Sequence, residues 1–490
     1  MVKIFPKDIV DRKPYKQADE VDRYYAGLAT KVAKIISDTS DMNSSDVKRY
    51  ALNITDWFED IISNIGIWRT FNATCLKRYR SKIPFHDTKE YYDGEPNVCD
   101  IAFLLWHYLQ IDNFNKRFIN PENPFIIRTA EQLCALFDQE YETAPENERL
   151  YAFVHQSDVE KEFETMREVV GWLALKSYIG EWNRIAMIDD IEDAMNDDNC
   201  EQTDTQTAYQ ITMNYMFDER TNILAQPMTQ WLADIRDTDE SHKVLGAMEM
   251  LYPEEYLIRD FGRTYLEASC LYDARKYKIA LESIDSGIIG KIAVNDTVFN
   301  CTLLSYGDLY YQVGVMKVES YAEYRDIIKQ TNKAQREKED VLMSAYKKLM
   351  RKSNGTGFLL FANSDDAYRY AREELHLPEV DGEHRKEPVA FVGDEESAHI
   401  SPHLPAFIKV PNNPYYNQQV AKEKAHGVYV SSTYCNYLVA RVLHDNNLLP
   451  DAALNSLKGY EYGREFLHKH GRYLIDYCYQ ENHCAIDDSK

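Results

Sequence analysis

The stretch Gly66–Gln110 reads GIWRTFNATCLKRYRSKIPFHDTKEYYDGEPNVCDIAFLLWHYLQ and decides how the N-terminal part of this chain folds. It places two tryptophans and many bulky apolar residues in two segments of helix length, joined by a loop that holds Pro84, Gly94 and Pro96. Dense apolar residues in helix-length segments are typical of packed helices, and Pro and Gly mark the connection between them. No catalytic spacing lies within the stretch, so it predicts a fold-forming block rather than a reaction.

Helical periodicity extends outward from this block, from Asp19 to about Leu251. Apolar residues recur every three or four positions over residues 21–35 and 47–61, and Gly66 stands near the expected end of the second helix. A third helix is predicted from Ile67 to Arg80, and Asn97 can cap a fourth. Two further helix starts are predicted at Asn123-Pro124 and at Ser157–Glu160, the second because Ser and Glu have capping-box spacing.

The pattern changes after about Tyr272, where short β-rich runs alternate with turn residues. The predicted strands are Lys276–Ser283, Gly290–Val294, Thr297–Leu304 and Asp308–Lys317. A long helix follows from Tyr321 to Lys352. Beyond it the sequence predicts strands at Gly357–Ala362, near Val389 and near Phe407, and helices at Asp365–Leu375 and from Pro414, Tyr434 and Tyr460.

These patterns predict an α+β fold that is mainly α. Residues 1–251 form an α-helical domain, and residues 252–490 form an α+β domain. Within the latter, residues 272–318 are predicted to form a small antiparallel sheet or barrel, residues 321–352 a long helix, and residues 357–490 an α+β part. A chain of 490 residues exceeds the roughly 250–300 residues of a single core, which agrees with more than one domain.

The net charge of −24 is unevenly distributed. Residues 101–250 hold 11 basic and 29 acidic side chains, whereas residues 1–100 hold 16 of each. An acidic block repels phosphate backbones, so no nucleic acid is expected as a partner. A nucleic-acid-associated protein would need the minority basic side chains to cluster in three dimensions.

The cellular setting is predicted from cysteine usage and hydropathy. Nine scattered cysteines without a CxxC pair are typical of reduced thiols in the cytoplasm. No window reaches the roughly 18 consecutive apolar residues of a membrane helix, so no membrane association is expected. The start of the chain also lacks the apolar core of a secretory signal.

Three sets of segments are similar to an uncharacterised family of Bacteroidales proteins, a domain of unknown function. The first is KDIVDRKPY with DRYYAGLATKV. The second is WFEDIISNIGIWRTF with the 83–110 stretch, ENPF and YETAPENERLYAF, and the third is LPAFIKVPNNPYYNQQVAKEKA with NNLLPDA. The resemblance spans most of the chain. It implies the extent of the domains and carries no activity or catalytic residues.

Metal and nucleophile patterns are weak. Asp189–Thr207 is acidic but lacks EF-hand spacing, and a mobile loop is predicted there instead. His468, His470, Cys478, His483 and Cys484 lie close in sequence, but two histidines two positions apart point to different sides of a helix, so no metal is predicted. The sequence calls for no cofactor.

Residues of other candidate sites have structural explanations. The sequence contains no nucleophile elbow, zincin, Walker or dinucleotide motif. Cys99, Cys134, Cys270 and Cys301 stand in apolar contexts that are typical of buried, inert thiols. Asp100 stands near a helix start, where helix capping accounts for an acidic side chain.

The best local candidate for binding is the segment around Asn413. A strand at Phe407–Val410 is predicted to lead into Asn413 as a cap and Pro414 as the first helical residue. Free amides at such a helix start favour anions, and the rings of Tyr415 and Tyr416 can stack on a ligand. Asn413, Tyr415 and Tyr416 are therefore the predicted binding residues. An ordinary strand-to-helix junction is the alternative.

The function predicted from the sequence is that of a non-enzymatic intracellular binding or scaffolding protein. Its partner would be a protein or a small molecule, contacted by helical surface rich in the chain's 36 tyrosines. The alternative is an enzyme of unassigned class with its site in the cleft between the two halves.

Overall fold

A computed structural model describes residues 2–113, 118–196, 203–272, 274–377, 380, 382–393, 397–402, 404–411, 413–421, 437–450 and 452–478. The chain divides into two compact units, Met1–Ile328 and Lys329–Lys490. The sequence places its domain boundary at residue 251, where helices give way to strands. The division into compact units falls at residue 328 and keeps those strands with the helices.

The first unit begins with helices, and their starts follow from the capping residues. Asp19, Asn43 and Asn123 each accept hydrogen bonds from amides in the first turn of the following helix. The helices are α1 (Pro6–Val10), α2 (Glu20–Thr39), α3 (Ser44–Ser63), α4 (Ile67–Tyr79), α5 (Val98–Ile111), α6 (Pro124–Glu140), α7 (Glu148–Val154), α8 (Phe163–Leu175), α9 (Glu181–Met195), α10 (Asp204–Phe217), α11 (Met228–Arg236) and α12 (Asp239–Val244).

Five strands then close into a barrel. They are β1 (Met250–Phe261), β2 (Tyr265–Cys270) and β3 (Lys276–Ala280), followed by the short helix α13 (Ser286–Ile289), then β4 (Thr297–Tyr306) and β5 (Leu309–Ser320). The order around the barrel is β1-β2-β3-β5-β4, and β4 closes it by pairing with β1. Only the β3–β5 pair is parallel. This Greek-key order, with a helix between the third and fourth strands, is that of an OB-fold barrel.

Helix α10 packs on the outside of the barrel, within the same unit. The Oε1 atom of Gln210 accepts a hydrogen bond of 3.0 Å from the amide of Val315 in β5. Gly314 has a φ of 70°, and a Cβ atom there would lie 2.0 Å from the same Oε1. Glycine is therefore required at this point of β5 for both conformation and space.

The second unit continues helix α14 (Tyr321–Lys352), which starts at the end of the first, and adds a small sheet. Strands β6 (Phe358–Phe361), β7 (Val389–Gly393) and β8 (Ala398–Ser401) pair antiparallel in the order β6-β7-β8. The helices are α15 (Ser364–Glu373), α16 (Leu404–Phe407), α17 (Tyr437–Asp445) and α18 (Tyr460–Cys478). Buried residues of α14, α15 and the sheet form one hydrophobic cluster of this unit.

The predicted fold class is confirmed: the chain is α+β and mainly α. The closed barrel and the long helix Tyr321–Lys352 are present as well. Within the described ranges, no helix is long and apolar enough to cross a membrane.

Several local predictions are wrong. Glu160 does not cap a helix, because its carboxylate pairs with Arg236, and the next helix begins at Phe163. Residues 290–294 are not a strand. The predicted mobile loop is helical up to Met195, where most carboxylates are exposed, and again from Asp204. Its residues 197–202 lie outside the described ones.

Candidate functional site

The buried carboxylate of Asp60, near the end of α3, organises the start of α4. Its Oδ1 atom accepts hydrogen bonds from the amides of Gly66 (2.9 Å) and Ile67 (3.2 Å), and its Oδ2 atom from the amide of Trp68 (2.7 Å). The phenol of Tyr178 donates a further bond to Oδ2. Asp60 thereby fills the anion site that a helix start otherwise offers to a ligand.

A cavity of about 460 Å³ opens beside this junction. Its walls come from α4 and from the loop at residues 80–97, and Asp60 and Gly66 stand at its inner end. The aromatic part of the wall is Trp68, which is buried, and Tyr91, which is half-buried. This volume lies within the roughly 300–1,000 Å³ that is typical of small-molecule sites.

Polar contacts hold the loop side of the cavity in place. The Nζ atom of Lys82 lies 2.7 Å from each carboxylate oxygen of Asp93 and 4.9 Å from the centroid of the Tyr91 ring. The amide of Asn72 on α4 donates a hydrogen bond to the phenol of Tyr91. Helix and loop are thus joined through Tyr91, which is itself part of the cavity lining.

Arg69 supplies positive charge at the mouth of the cavity. Its side chain is exposed, and Nη1 donates a hydrogen bond of 3.0 Å to Oδ1 of Asn64, a neutral partner. No carboxylate of the described residues forms an ion pair with it, whereas Lys82 is neutralised by Asp93. The guanidinium is therefore a cation of the lining without an ion pair among the described residues, in a lining that also contains the exposed carboxylate of Glu95, and its fork geometry matches carboxylates and phosphates.

Asp100 lies fully buried behind the aromatic wall. Its Oδ2 atom accepts 3.3 Å hydrogen bonds from the backbone and side-chain amides of Asn97, which is the predicted capping role. Burial raises the pKa of Asp100 to about 7, although hydrogen bonding from Asn97 and Tyr91 works against this rise. The Asp100 Oδ1 atom, the Trp68 Nε1 atom and the Asn72 Oδ1 atom are buried without a hydrogen bond of normal geometry.

A second polar cluster in the helical region links two of the segments that carry the family resemblance. Lys13 of the KDIVDRKPY segment contacts the carboxylates of Asp56 and Glu59 on α3, and Arg12 contacts Asp56 as well. Burial alone would raise the pKa of Asp56, but Arg12 and Lys13 hold it below its ordinary value. The gap beside this cluster measures about 10 Å³, which is at most the space of one water molecule. The cluster therefore has a structural role, which is to link the segment after α1 to α3.

The segment around Asn413 differs from its prediction. The predicted strand at Phe407–Val410 is wrong, because Leu404–Phe407 form a short helix and residues 408–410 are irregular. Asn413 closes the loop by donating from Nδ2 to the carbonyls of Pro405 (2.8 Å) and Ile408 (2.9 Å). Its Oδ1 atom accepts from the amide of Tyr415 at 2.9 Å. The next helical residues begin at 418, not at Pro414, with Asn417 as their cap.

The rings of Tyr415 and Tyr416 are half-buried. The amide of Tyr415 has a protein partner, so the geometry that motivated an anion site is altered. A binding role for Asn413, Tyr415 and Tyr416 stays a prediction.

The thiols and the histidine–cysteine cluster can be placed in part. Cys134, Cys270 and Cys301 are buried and Cys99 is half-buried, and burial raises the pKa of Cys134 to about 12. In the described part of the chain, no three His, Cys, Asp or Glu side chains stand together as a metal site. His483 and Cys484 lie outside the described residues.

The fold is that of a mainly helical α+β protein with an OB-type barrel and a cavity of about 460 Å³ beside α4. A family model matches residues 3–269 and 329–479, and the family is described as a protein of unknown function (DUF3843). The chain belongs to this family. Neither a search of curated proteins nor a search of solved structures found a match.

The residues that form the cavity were not singled out from the sequence, although they lie in and next to the stretch Gly66–Gln110. The missed residues are Asp60, Trp68, Arg69, Asn72 and Tyr91. One signal was present: Asp56, Glu59 and Asp60 stand on one face of a helix that is otherwise rich in apolar residues. Buried carboxylates at such spacing require partners, and the start of the next helix provides them.

Proposed function

We propose that this protein is a non-enzymatic binding protein that holds a small anionic molecule in the cavity beside α4. The observation that carries the proposal is a cavity of about 460 Å³ with two aromatic side chains on its wall and, at its mouth, a guanidinium that pairs with no carboxylate of the described residues. Aromatic walls with a few placed polar groups are typical of ligand sites.

The composition of the wall favours one chemistry. Trp68 and Tyr91 provide flat apolar surface, which suits a planar ring in the ligand. Arg69 favours a carboxylate or phosphate attached to that ring. Lys82 does not contribute in the same way, because Asp93 already neutralises its charge. Asn64, at the end of α3, and Asn72 on α4 add hydrogen-bonding side chains to the lining. A planar molecule with one acidic group therefore fits this site best.

Binding without catalysis is favoured by what the polar groups around the cavity already do. Asp60 is occupied by four hydrogen-bond donors, and the Oδ2 atom of Asp100 caps α5. Asp60 lines the cavity with both of its carboxylate oxygens already accepting hydrogen bonds, and Asp100 lies outside the lining.

The experiment compares the small molecules that stay with the protein during purification from its native cells. Ala73 is exposed and lines the cavity, so Ala73→Trp should block it, whereas Lys77→Trp adds the same ring to an exposed position on α4 outside the lining. Mass spectrometry of the denatured extracts should show a planar acid with the wild type and Lys77→Trp but not with Ala73→Trp. The same molecules from all three proteins, or none from any, would contradict the proposal.

A further inference from the structure

One surface of the barrel is basic in a chain whose net charge is −24. We name it the β2–β3 face; it consists of Arg259, Tyr265, Glu267, Ser269, Lys276 and Lys278. Lys278 is paired with Glu267 and Lys276 with Ser269 across the two strands, so these side chains point to the same side. The alternate residues Leu266, Ala268 and Ile279 point into the barrel core.

A bulge in β1 adds a cation to this face. The register of β1 against β2 shifts between Ile258 and Asp260, which leaves Arg259 outside the ladder. The Nε atom of Arg259 donates a hydrogen bond of 2.8 Å to the hydroxyl of Ser269, so its side chain lies over β2. Bulges often re-aim a side chain in this way next to functional sites.

The cations of this face are not held in ion pairs by any described carboxylate, although Glu267, the cross-strand partner of Lys278, lowers the net positive charge. Arg259, Lys276 and Lys278 are exposed, as is Arg263 in the adjoining turn. No ion pair joins any of these four cations to a carboxylate of the described residues, and the exposed carboxylates beside them are Asp260 and Glu267. Unpaired cations gathered on one face favour an anionic partner.

An aromatic ring stands among these cations. Lys278 Nζ lies 5.2 Å from the centroid of the Tyr265 ring. A Cβ atom at Gly262 would lie 2.7 Å from that ring, so the turn packs directly against Tyr265 and fixes its position. Phe261, at the same end of the barrel, has 42% of its surface exposed. Aromatic rings interleaved with cations are typical of surfaces that bind unpaired bases and phosphates.

We propose that the β2–β3 face binds single-stranded nucleic acid, with phosphates on Arg259, Lys276 and Lys278 and a base stacked on Tyr265. A duplex would hide the faces of its bases from the ring. A face about 20 Å long and about 10 Å wide suits a few nucleotides, at the low end of the about 4–16 that one OB barrel covers. Basic side chains, which are outnumbered by acidic ones in the whole chain, thus cluster on one face as a nucleic-acid partner requires.

The test uses the full chain and a fluorescein-labelled, mixed-sequence 12-nucleotide DNA or RNA, with fluorescence anisotropy at several salt concentrations. The logarithm of the association constant should fall with the logarithm of the salt concentration with a slope of about −2, for three phosphate contacts. Lys278→Glu should weaken binding by more than about tenfold and make the slope shallower by about 0.7. Tyr265→Leu should weaken binding by about tenfold and leave the slope unchanged.

The matched control is Lys317→Glu. Lys317 is exposed on β5, where it pairs with Asn300 of β4 away from β2, and its reversal changes the net charge equally. It should alter affinity by less than about twofold. The proposal is overturned by an equal loss with Lys317→Glu, by duplex DNA that binds as tightly, by polyglutamate that competes equally well per charge, or by no anisotropy change at about 50 mM salt. Circular dichroism melting shows whether each variant is folded.

Discussion

The phenol of Tyr178 donates a hydrogen bond of 2.7 Å to Oδ2 of Asp60, although the two residues are 118 positions apart in the chain. The same carboxylate receives three amides at the start of α4. One buried side chain therefore fixes three elements: the end of α3, the start of α4 and the 3₁₀ turn Tyr178–Gly180. Because that junction forms the inner end of the cavity, its geometry determines the shape of the candidate site.

Replacing Asp60 should destabilise the first unit strongly. Asp60→Ala leaves three amides and a phenol buried without partners, and we expect a loss of on the order of 4 kcal/mol in the free energy of unfolding. Tyr178→Phe removes one donor and should cost about 2 kcal/mol. Urea unfolding followed by tryptophan fluorescence measures both losses. Asp38→Ala, at an exposed position of α2, should change stability by less than about 0.5 kcal/mol. Equal effects of the two aspartate variants would refute the role of Asp60.

Asp100 predicts a pH dependence of stability. Burial raises the pKa of Asp100 from an ordinary 3.8 to about 7, so the folded chain binds a proton that the unfolded chain releases. The resulting stabilisation is fully present below pH 3.8 and is lost as the pH rises to about 7. The side chain of Asn does not titrate, so Asp100→Asn lacks this pH dependence.

The free energy of unfolding of Asp100→Asn, compared with that of the wild type, should therefore rise by up to about 4 kcal/mol between pH 4 and pH 8. Any loss of stability that the substitution causes equally at every pH leaves this change unaffected. Parallel urea titrations of the two proteins across this range measure the difference. A difference that does not change with pH would show that Asp100 titrates normally.

Lys13 holds two carboxylates in the interior, so its removal should be costly. Lys13→Met leaves Glu59 and one side of Asp56 without their cation, and we expect a loss of about 3–5 kcal/mol. The matched control is Lys16→Met, since Lys16 is exposed three positions later. Thermal unfolding should separate the two variants by several degrees. If Lys13→Met is no less stable than Lys16→Met, the buried cluster does not join α1 to α3.

Fragments test where the first domain ends. A fragment of residues 1–328 keeps the contacts between helices and barrel: the rings of Phe163 and Tyr311 stack at 4.1 Å, and Tyr306 donates to the carbonyl of Val159 at 2.7 Å. We expect it to unfold cooperatively. A fragment of residues 1–251 should give a helix-dominated circular dichroism spectrum with a lower melting temperature, because Phe163 loses its partner. Equal melting temperatures would place the domain boundary at residue 251, as the sequence predicts.

The sequence predicts helices well wherever local signals and tertiary packing agree. Asn123-Pro124 starts a helix as expected, because the cap and the proline act locally. The helix start predicted at Ser157–Glu160 is wrong because Glu160 pairs with Arg236, which lies 76 positions away in the chain. A local sequence pattern cannot indicate a partner at such a distance. Strands β1 and β2 were not predicted, because β1 is bulged and partly covered, which obscures alternation.

The sequence predicts the stretch Gly66–Gln110 as a fold-forming block and does not predict a site within it. The stretch Gly66–Gln110 contains most residues of the cavity wall, and its aromatic content was apparent. The cavity lies between α4 and the loop at residues 80–97. The Lys82–Asp93 and Asn72–Tyr91 contacts hold this loop in place, and they are not predictable from the sequence because the loop is irregular. Similarly, Asn413 has a hydrogen-bonding role in a loop that resembles, in sequence, a helix cap.

The strand order of the barrel shows what residues 270–328 contribute to the fold of this chain. The ranges matched by the family model stop at residue 269 and resume at residue 329, so they contain β1 and nearly all of β2 but none of β3, β4 and β5. A chain made of those ranges alone would carry a two-stranded ribbon with hydrogen-bonding groups open along both sides. Such a ribbon is marginally stable in water and invites pairing with other chains. In this chain β3 pairs with β2 and β4 pairs with β1, so the strands that cover both sides of the ribbon lie outside the matched ranges.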